Sequence, residues 1–214
     1  DEPESFSAHN KLLDQIQTMT VTVADASTLT LDTSLDSYYL QDTFVNRLPA
    51  VLTQVGLARR VAGEVAAKKT ASPEDKLTYT NLQRVLPLVN NTMFDGYKRA
   101  LASNEKLSAS IGGEVGLLNS SQKDVLDVLK TRLFETPKID ITADEVRGMI
   151  NKDAEALYAI GDKTLTQLDD ILAQRFSDIQ KKFYATLGAA ALISLIGLTG
   201  LALLARGAIR NAAA

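Results

Sequence analysis

The sequence predicts an all-α fold: an antiparallel up-down four-helix bundle whose last helix continues into a transmembrane helix. Phe183–Ala205 contains no charged residue, and about 20 apolar residues at about 1.5 Å per residue cross a bilayer core of about 30 Å. Before this run, apolar residues recur at steps of three and four, which is the spacing of amphipathic helices. These two observations set the fold class and the domain organisation.

The apolar run is flanked by charge, with Lys181 and Lys182 before it and Arg206 and Arg210 after it. A buried helix of a soluble protein is the alternative, but such a helix rarely stays apolar on every face for this length. Three regions follow from this pattern. They are a helical bundle at 1–182, a transmembrane helix at 183–205 and a short tail at 206–214.

The first two predicted helices run from about Pro3 to Ser27 and from about Asp36 to Lys69, with a turn at Thr28–Leu35. Pro49 lies well inside the second helix, where it removes one hydrogen bond and crowds the carbonyl of Val45, so a kink is expected. One face of the first helix carries Phe6, Leu13, Ile16 and Val23, with His9 and Thr20 beside them.

The third helix begins at Ser72-Pro73, a strong N-cap followed by proline at the first helical position. It contains Pro87, and the glycines of Gly112–Ser121 predict a break or bend before a further helical segment, Gln122–Phe134. Thr142 and Glu145 form a capping box that starts the last helix, which meets no proline before the membrane.

In the bundle that these helices predict, both chain ends lie at the membrane. The connections Thr28–Leu35 and Glu135–Ile141 are then expected far from the bilayer, and Thr70–Ser72 close to it. A second membrane span is expected just before Asp1.

The stretch 31–42, LDTSLDSYYLQD, followed by Arg47-Leu48-Pro49, resembles a motif in the extracytoplasmic regions of bacterial transmembrane receptors. These are chemotaxis receptors, sensor histidine kinases and diguanylate cyclases. The tail Arg206-Gly-Ala-Ile-Arg210 is similar to the start of a HAMP linker, without the proline that usually follows.

The resemblance implies a ligand-sensing input domain that passes a helix displacement to a cytoplasmic output module, as in chemotaxis or two-component signalling. It further implies a homodimer in the bacterial inner membrane, with residues 1–182 as a periplasmic helical-bundle sensor domain and residues 206–214 as the truncated start of a cytoplasmic linker. The expected partner is a small-molecule ligand or a periplasmic protein. The alternative is a membrane-anchored helical scaffold or tether without a ligand.

Composition argues against other functions. All 26 acidic residues but only 21 of the 23 basic ones precede the apolar run, so that part carries a net charge of −5, which disfavours nucleic acid. With one histidine, no cysteine and no metal-ligand or phosphate-loop spacing, the sequence predicts no enzyme, cofactor or metal. His9 is expected to pack. Asp32, Asp36 and Asp42 fit helix capping better than a cation site.

Two sets of ligand-binding candidates follow from the bundle, because ligand sites in bundles lie between helices. The first set lies at the end far from the membrane, where arginine would suit a carboxylate, and the second lies near the two internal prolines. The alternative for both is packing in the core or exposure on the surface. The first set comprises Tyr38, Tyr39, Asp42, Arg47 and Arg147, and the second Arg84, Asn90 and Asn91.

Overall fold

The computed structural model describes residues 2–27 and 32–212. The protein is all-helical, at 91% helix, and the described residues include no strand. In chain order the helices are α1 (Glu2–Ala26), α2 (Leu35–Asp42), a π-helical turn (Thr43–Arg47), α3 (Leu48–Lys68), α4 (Pro73–Ser103), α5 (Glu105–Leu129), a second π-helical turn (Lys130–Phe134) and α6 (Ala143–Ala212). The π turns join their neighbours without a break, so these elements form five continuous helical stretches.

Two compact units divide the chain, Asp1–Leu168 and Asp169–Ala214. Helix α6 contributes its first part to the first unit and the remainder to the second. The first unit therefore ends before the predicted domain boundary at residue 182. That boundary refers to a membrane surface and stays a prediction.

Helices α2 and α3 run antiparallel to α4. At one end, Asn104, which follows α4, donates a hydrogen bond from Nδ2 to Asp36 Oδ2 over 2.9 Å. Further along, Arg47 Nη1 donates to the Thr92 carbonyl over 2.6 Å. Only Asn104 separates α4 from α5, so the chain reverses direction there. At the other end of this pair, the ring of Tyr79 stacks on the ring of Phe134, with centroids 3.9 Å apart.

The first part of α6 packs antiparallel to α3 and α5. A Cβ added at Gly161 would lie 2.9 Å from Leu48 of α3, which shows how closely these two helices approach. On the other side, Lys163 pairs with Glu114 of α5. Helix α6 also meets α4 across the buried interior, where the hydroxyls of Tyr97 and Thr164 lie 2.8 Å apart. Neighbouring helical stretches of the first unit therefore run antiparallel: the α2–α3 stretch to α4, α4 to the α5 stretch, and the first part of α6 to both α3 and α5.

That interior is closely filled by large apolar side chains from all four stretches. Burial of such side chains is the main stabilising term of a fold, at about 1.5–3 kcal/mol for each. Fully buried examples are Leu40, Val51, Val65, Met93, Leu107, Ile111, Leu133, Val146 and Leu157.

The sequence predicted that helix α1 packs into this interior, but the apolar face of α1 is largely exposed. Among its described side chains only Ala24 is buried. The apolar residues at helical spacing are about half exposed or more: Leu12, Leu13, Ile16, Met19 and Val23. A periodic stripe shows that a helix has an apolar face, but it does not say what covers that face. The predicted packing of Phe6 and His9 lies outside the described side chains, and residues 28–31 of the predicted turn lie outside the described chain.

Of the break or bend predicted in Gly112–Ser121, the break does not occur, because α5 passes through this region as one continuous helix. The chain breaks instead at Asn104, which has φ −147° and ψ 106° and caps α5 by accepting a hydrogen bond from the Leu107 amide at Oδ1 over 3.1 Å. Burial of Ile111, Val115 and Leu118 outweighs the helix propensity lost at the glycines, which is about 1 kcal/mol each.

The two internal prolines have different effects. Pro49 is the second residue after the first π-helical turn, which ends at Arg47. Such a turn is a common way for a helix to accommodate a disrupted hydrogen-bond ladder. The carbonyl of Val45, which the proline leaves without its usual helical donor, accepts a hydrogen bond from Gln17 Nε2 of α1 over 2.6 Å. Pro87, in contrast, lies inside α4 without ending it.

Both predicted helix starts are confirmed, since Ser72 with Asp75 and Thr142 with Glu145 make reciprocal capping bonds. The expected placement of the connections is wrong. Lys69 Nζ donates to the Ile141 carbonyl over 2.7 Å, so Thr70–Ser72 and Glu135–Ile141 lie at the same end of the first unit. The mismatch arises because α5 packs as a separate helix against α4 and α6, whereas the predicted arrangement used α1 there.

The second unit is helical throughout its described part, Asp169–Ala212. It contains the most apolar window of α6, with a mean hydropathy of 2.2 and no buried residue. In the described chain, α6 is the one helix that is long and apolar enough to cross a membrane, by length and composition. It is therefore a candidate membrane span.

Candidate functional site

The most unusual chemistry of the first unit is a cluster of polar side chains inside its apolar interior. Asn90 of α4, Gln122 of α5 and Asp153 of α6 are 7%, 3% and 4% exposed, respectively. Each stands at an inward position of its helix, where the neighbouring inward positions are apolar. We call these three residues the polar cluster.

The polar cluster is only partly hydrogen-bonded. Ser121 Oγ donates to Asp153 Oδ1 over 3.3 Å. Asn90 Oδ1 and both amide atoms of Gln122 are buried without a hydrogen-bond partner of acceptable geometry. Each buried polar group left unpaired costs about 1–3 kcal/mol, so the cluster weakens the fold unless something occupies it.

A small cavity adjoins the polar cluster. Its volume is about 10 Å³, counted as the space open to the centre of a water molecule, and about 10–15 Å³ of such space is needed to hold one water. Four helical segments contribute to its wall: Val55, Ala58, Leu86, Asn90, Gln122, Val125, Leu126, Leu129, Ile150 and Asp153.

Asp153 is the titratable member of that wall. Burial raises the pKa of its carboxyl. The Ser121 hydroxyl and, more weakly, the nearby Gln122 side chain, which does not reach hydrogen-bond geometry, oppose the rise without cancelling it. None of the other nine wall residues is charged, so no cation within the cavity compensates the ionised carboxylate. The site therefore favours the neutral acid.

The first predicted set is brought together only in part. Arg47 Nε lies 2.5 Å from Asp42 Oδ2, and the same guanidinium donates to the Thr92 carbonyl. The rings of Tyr38 and Tyr39 meet edge to face, with centroids 5.1 Å apart. Arg47 and Asp42 thus form an ion pair, and the hydrogen bond from Arg47 connects the first π-helical turn to α4.

Arg99 of α4 extends this group and was not predicted. Its guanidinium carbon lies 5.6 Å from the centre of the Tyr39 ring, and its Nη1 is 3.4 Å from the tyrosine hydroxyl. A cation over an aromatic face is typically worth about 0.5–1 kcal/mol at an exposed site. The sequence offered no signal for this contact, because it depends on the pairing of α2 with α4.

Arg147 lies apart from the rest of its predicted set. It packs beside Gly63, where an added Cβ would lie 3.0 Å from Arg147 Nε. Gly63 follows Arg47 by sixteen helical residues, or about 24 Å along the axis. Arg147 and Arg47 therefore cannot hold the same small ligand in this arrangement.

Of the second predicted set, only Asn90 points inward. Arg84 and Asn91 are exposed. The candidate residues predicted from the sequence did not include Gln122 and Asp153, although Asp153 had a readable signal. Asp153 interrupts the apolar steps between Ile150 and Leu157, where a charged residue at an inward helical position is unusual.

The acidic residues of the 31–42 stretch serve the local backbone and side chains. Asp32 accepts hydrogen bonds from the Ser34 amide and the Ser37 hydroxyl, and Asp36 accepts from Asn104. Within the described residues, no three His, Cys, Asp or Glu side chains are grouped to hold a metal ion. Asp32 therefore stabilises the turn before α2, and the N-cap residue Ser34 makes no side-chain capping hydrogen bond.

Comparison with protein-family models, with curated proteins and with solved structures found no match. The assignment of a function therefore depends on the residues and contacts described above.

Proposed function

We propose that this chain is the sensory input region of a bacterial transmembrane signalling receptor, built as a four-helix bundle on a membrane helix. The observation that carries this proposal is the continuity of α6. Its first part supplies buried contacts such as Val146, Leu157 and Thr164, and the same helix includes Phe183–Ala205. A displacement of α6 in the bundle would then be passed directly to the membrane segment.

In this proposal, the polar cluster allows α6 to adopt more than one packing arrangement against its neighbouring helices. Asp153 on α6 faces Asn90 and Gln122 on two other helices across a cavity, and the amide atoms of Gln122 make no direct hydrogen bond to either neighbouring helix in this arrangement. A ligand shifts such an equilibrium only through its different affinity for the two states. In this proposal, signal binding selects one packing of α6.

The surface beside Tyr39, Asp42, Arg47 and Arg99 is the proposed ligand-binding region. Its two arginines suit a carboxylate, which guanidinium groups bind through paired hydrogen bonds. Residues 1–182 are placed in the periplasm in this proposal, with the receptor a homodimer in the inner membrane. A periplasmic protein is the other partner considered.

A ligand screen on the full chain in lipid nanodiscs tests this function. Thermal unfolding is followed by circular dichroism against amino acids, organic acids, amines and nucleobases. A ligand at about 100 times its Kd stabilises the folded state by about 2.7 kcal/mol. The proposal predicts a hit that Arg47→Ala abolishes and that the exposed control Arg84→Ala retains, each variant being compared with its own ligand-free melt.

A helical scaffold or tether without a ligand is the second candidate function. One observation favours it: the cavity at the polar cluster has room for about one water and none for an organic molecule. No stabilisation by any compound in the screen, together with unchanged melting when periplasmic extract is added, would support the scaffold and contradict the sensor.

A further inference from the structure

The unpaired atoms of the polar cluster differ in hydrogen-bonding character. Gln122 Nε2 is a donor, whereas Gln122 Oε1 and Asn90 Oδ1 are acceptors. A metal ion would bind only the acceptors and leave the amide donor unpaired. A water molecule accepts and donates at once, so it suits a site that holds both kinds of group.

We propose that the cavity at the polar cluster binds one water molecule, which accepts a hydrogen bond from Gln122 Nε2 and donates one to Asn90 Oδ1. The cavity volume of about 10 Å³ is near the lower limit for one water, which excludes larger guests. This water joins α4 to α5 beside Asp153 of α6. The inference is independent of the proposed signalling function.

Asp153 completes the site. The water donates its second hydrogen to the Asp153 carboxyl, which lines the same cavity. The remaining wall residues from α3, α4, α5 and α6 carry no titratable group, so the carboxyl and the two amides are the polar groups that face the water. Buried waters typically make about three hydrogen bonds, and this site supplies that number.

Nuclear Overhauser measurements between water and side-chain amides test the site in the full chain, in detergent micelles. The Gln122 amide protons should show a cross-peak to water with the sign of a long-lived bound molecule. Gln41 is the matched control, because its Nε2 is also buried and without a partner but it does not line this cavity. A cross-peak at Gln122 and none at Gln41 supports the proposal, and absence at Gln122 overturns it.

Filling the cavity provides a second test. In a folded Ala58→Val variant, the added methyl groups should displace the water and remove the Gln122 cross-peak, whereas persistence of the peak would contradict this location. If that variant does not fold, the comparison of Gln122 with Gln41 decides. A saturable response of the Asn90 side-chain amide to sodium, absent in Asp153→Asn, would identify a cation and overturn the proposal.

Discussion

The cost of burying a polar side chain in this interior depends on the hydrogen bonds that the side chain makes. Thr164 is fully buried but hydrogen-bonded to Tyr97 and to the Ile160 carbonyl, so its burial costs little. Asn90 and Gln122 are also buried, yet Asn90 Oδ1 and both amide atoms of Gln122 have no hydrogen-bond partner within the protein. The difference lies in pairing across helices, which is why sequence analysis could nominate Asn90 but could not tell its environment from that of Asn91.

Asp153 should make stability fall as pH rises. Because its pKa is raised in the folded state, both states are protonated well below the ordinary value of 3.8. As pH rises from there through the higher folded pKa, the unfolded state loses its proton first and stability decreases. Asp153→Asn should remove this decrease, as measured by urea unfolding between pH 4 and pH 8. The exposed Asp162→Asn on the same helix is the control and should leave the decrease in place.

Gln17 should hold α1 against the first π-helical turn. Its side chain donates to the Val45 carbonyl, whose usual helical donor is lost at Pro49. Gln17→Leu should remove this bond and speed amide hydrogen exchange in α1 several-fold, while exchange in α4 is unchanged. The exposed Gln15→Leu is the control on the same helix. Equal exchange in both variants would show that this hydrogen bond does not anchor α1.

Helical elements were predictable where their signals are local. The two capping boxes, the proline after Ser72 and the perturbation near Pro49 depend on residues within one turn of each other. The continuity of α5 through Gly112 and Gly113 could not be predicted from local signals, because burial of distant apolar neighbours overrides local helix propensity. Asn104 carried a usable signal, since asparagine is among the best N-cap residues.

Glycine substitutions distinguish the effect of local helix propensity from the effect of packing against neighbouring helices. Gly113 lies inside α5 with no atom within 4 Å of an added Cβ, so Gly113→Ala should stabilise the fold by about 0.5–1 kcal/mol. At Gly96 an added Cβ would come closer than 3.0 Å to the buried Thr43 Oγ1, so Gly96→Ala should destabilise it. Urea unfolding checks both, and a destabilising Gly113→Ala would contradict an unbroken α5.

At the scale of the whole molecule, the sequence predicted the all-helical composition and the apolar segment of α6. It did not predict which helices share the interior. Amphipathic helices α1 and α5 have comparable stripes, and only the contacts of α5 with α4 and α6 distinguish them. Selection among partners depends on the complete set of helix faces, which periodicity alone does not specify.

The central claim is that α6 leads from the packed helices through a membrane. Because the sequence contains no cysteine, single cysteines can be placed at Thr136, in the connection before α6, and at Asn211, near its end. In sealed inner-membrane vesicles, a membrane-impermeant maleimide should label only one of these two positions before detergent is added and both afterwards. Labelling of both positions in intact vesicles would contradict a membrane-spanning α6.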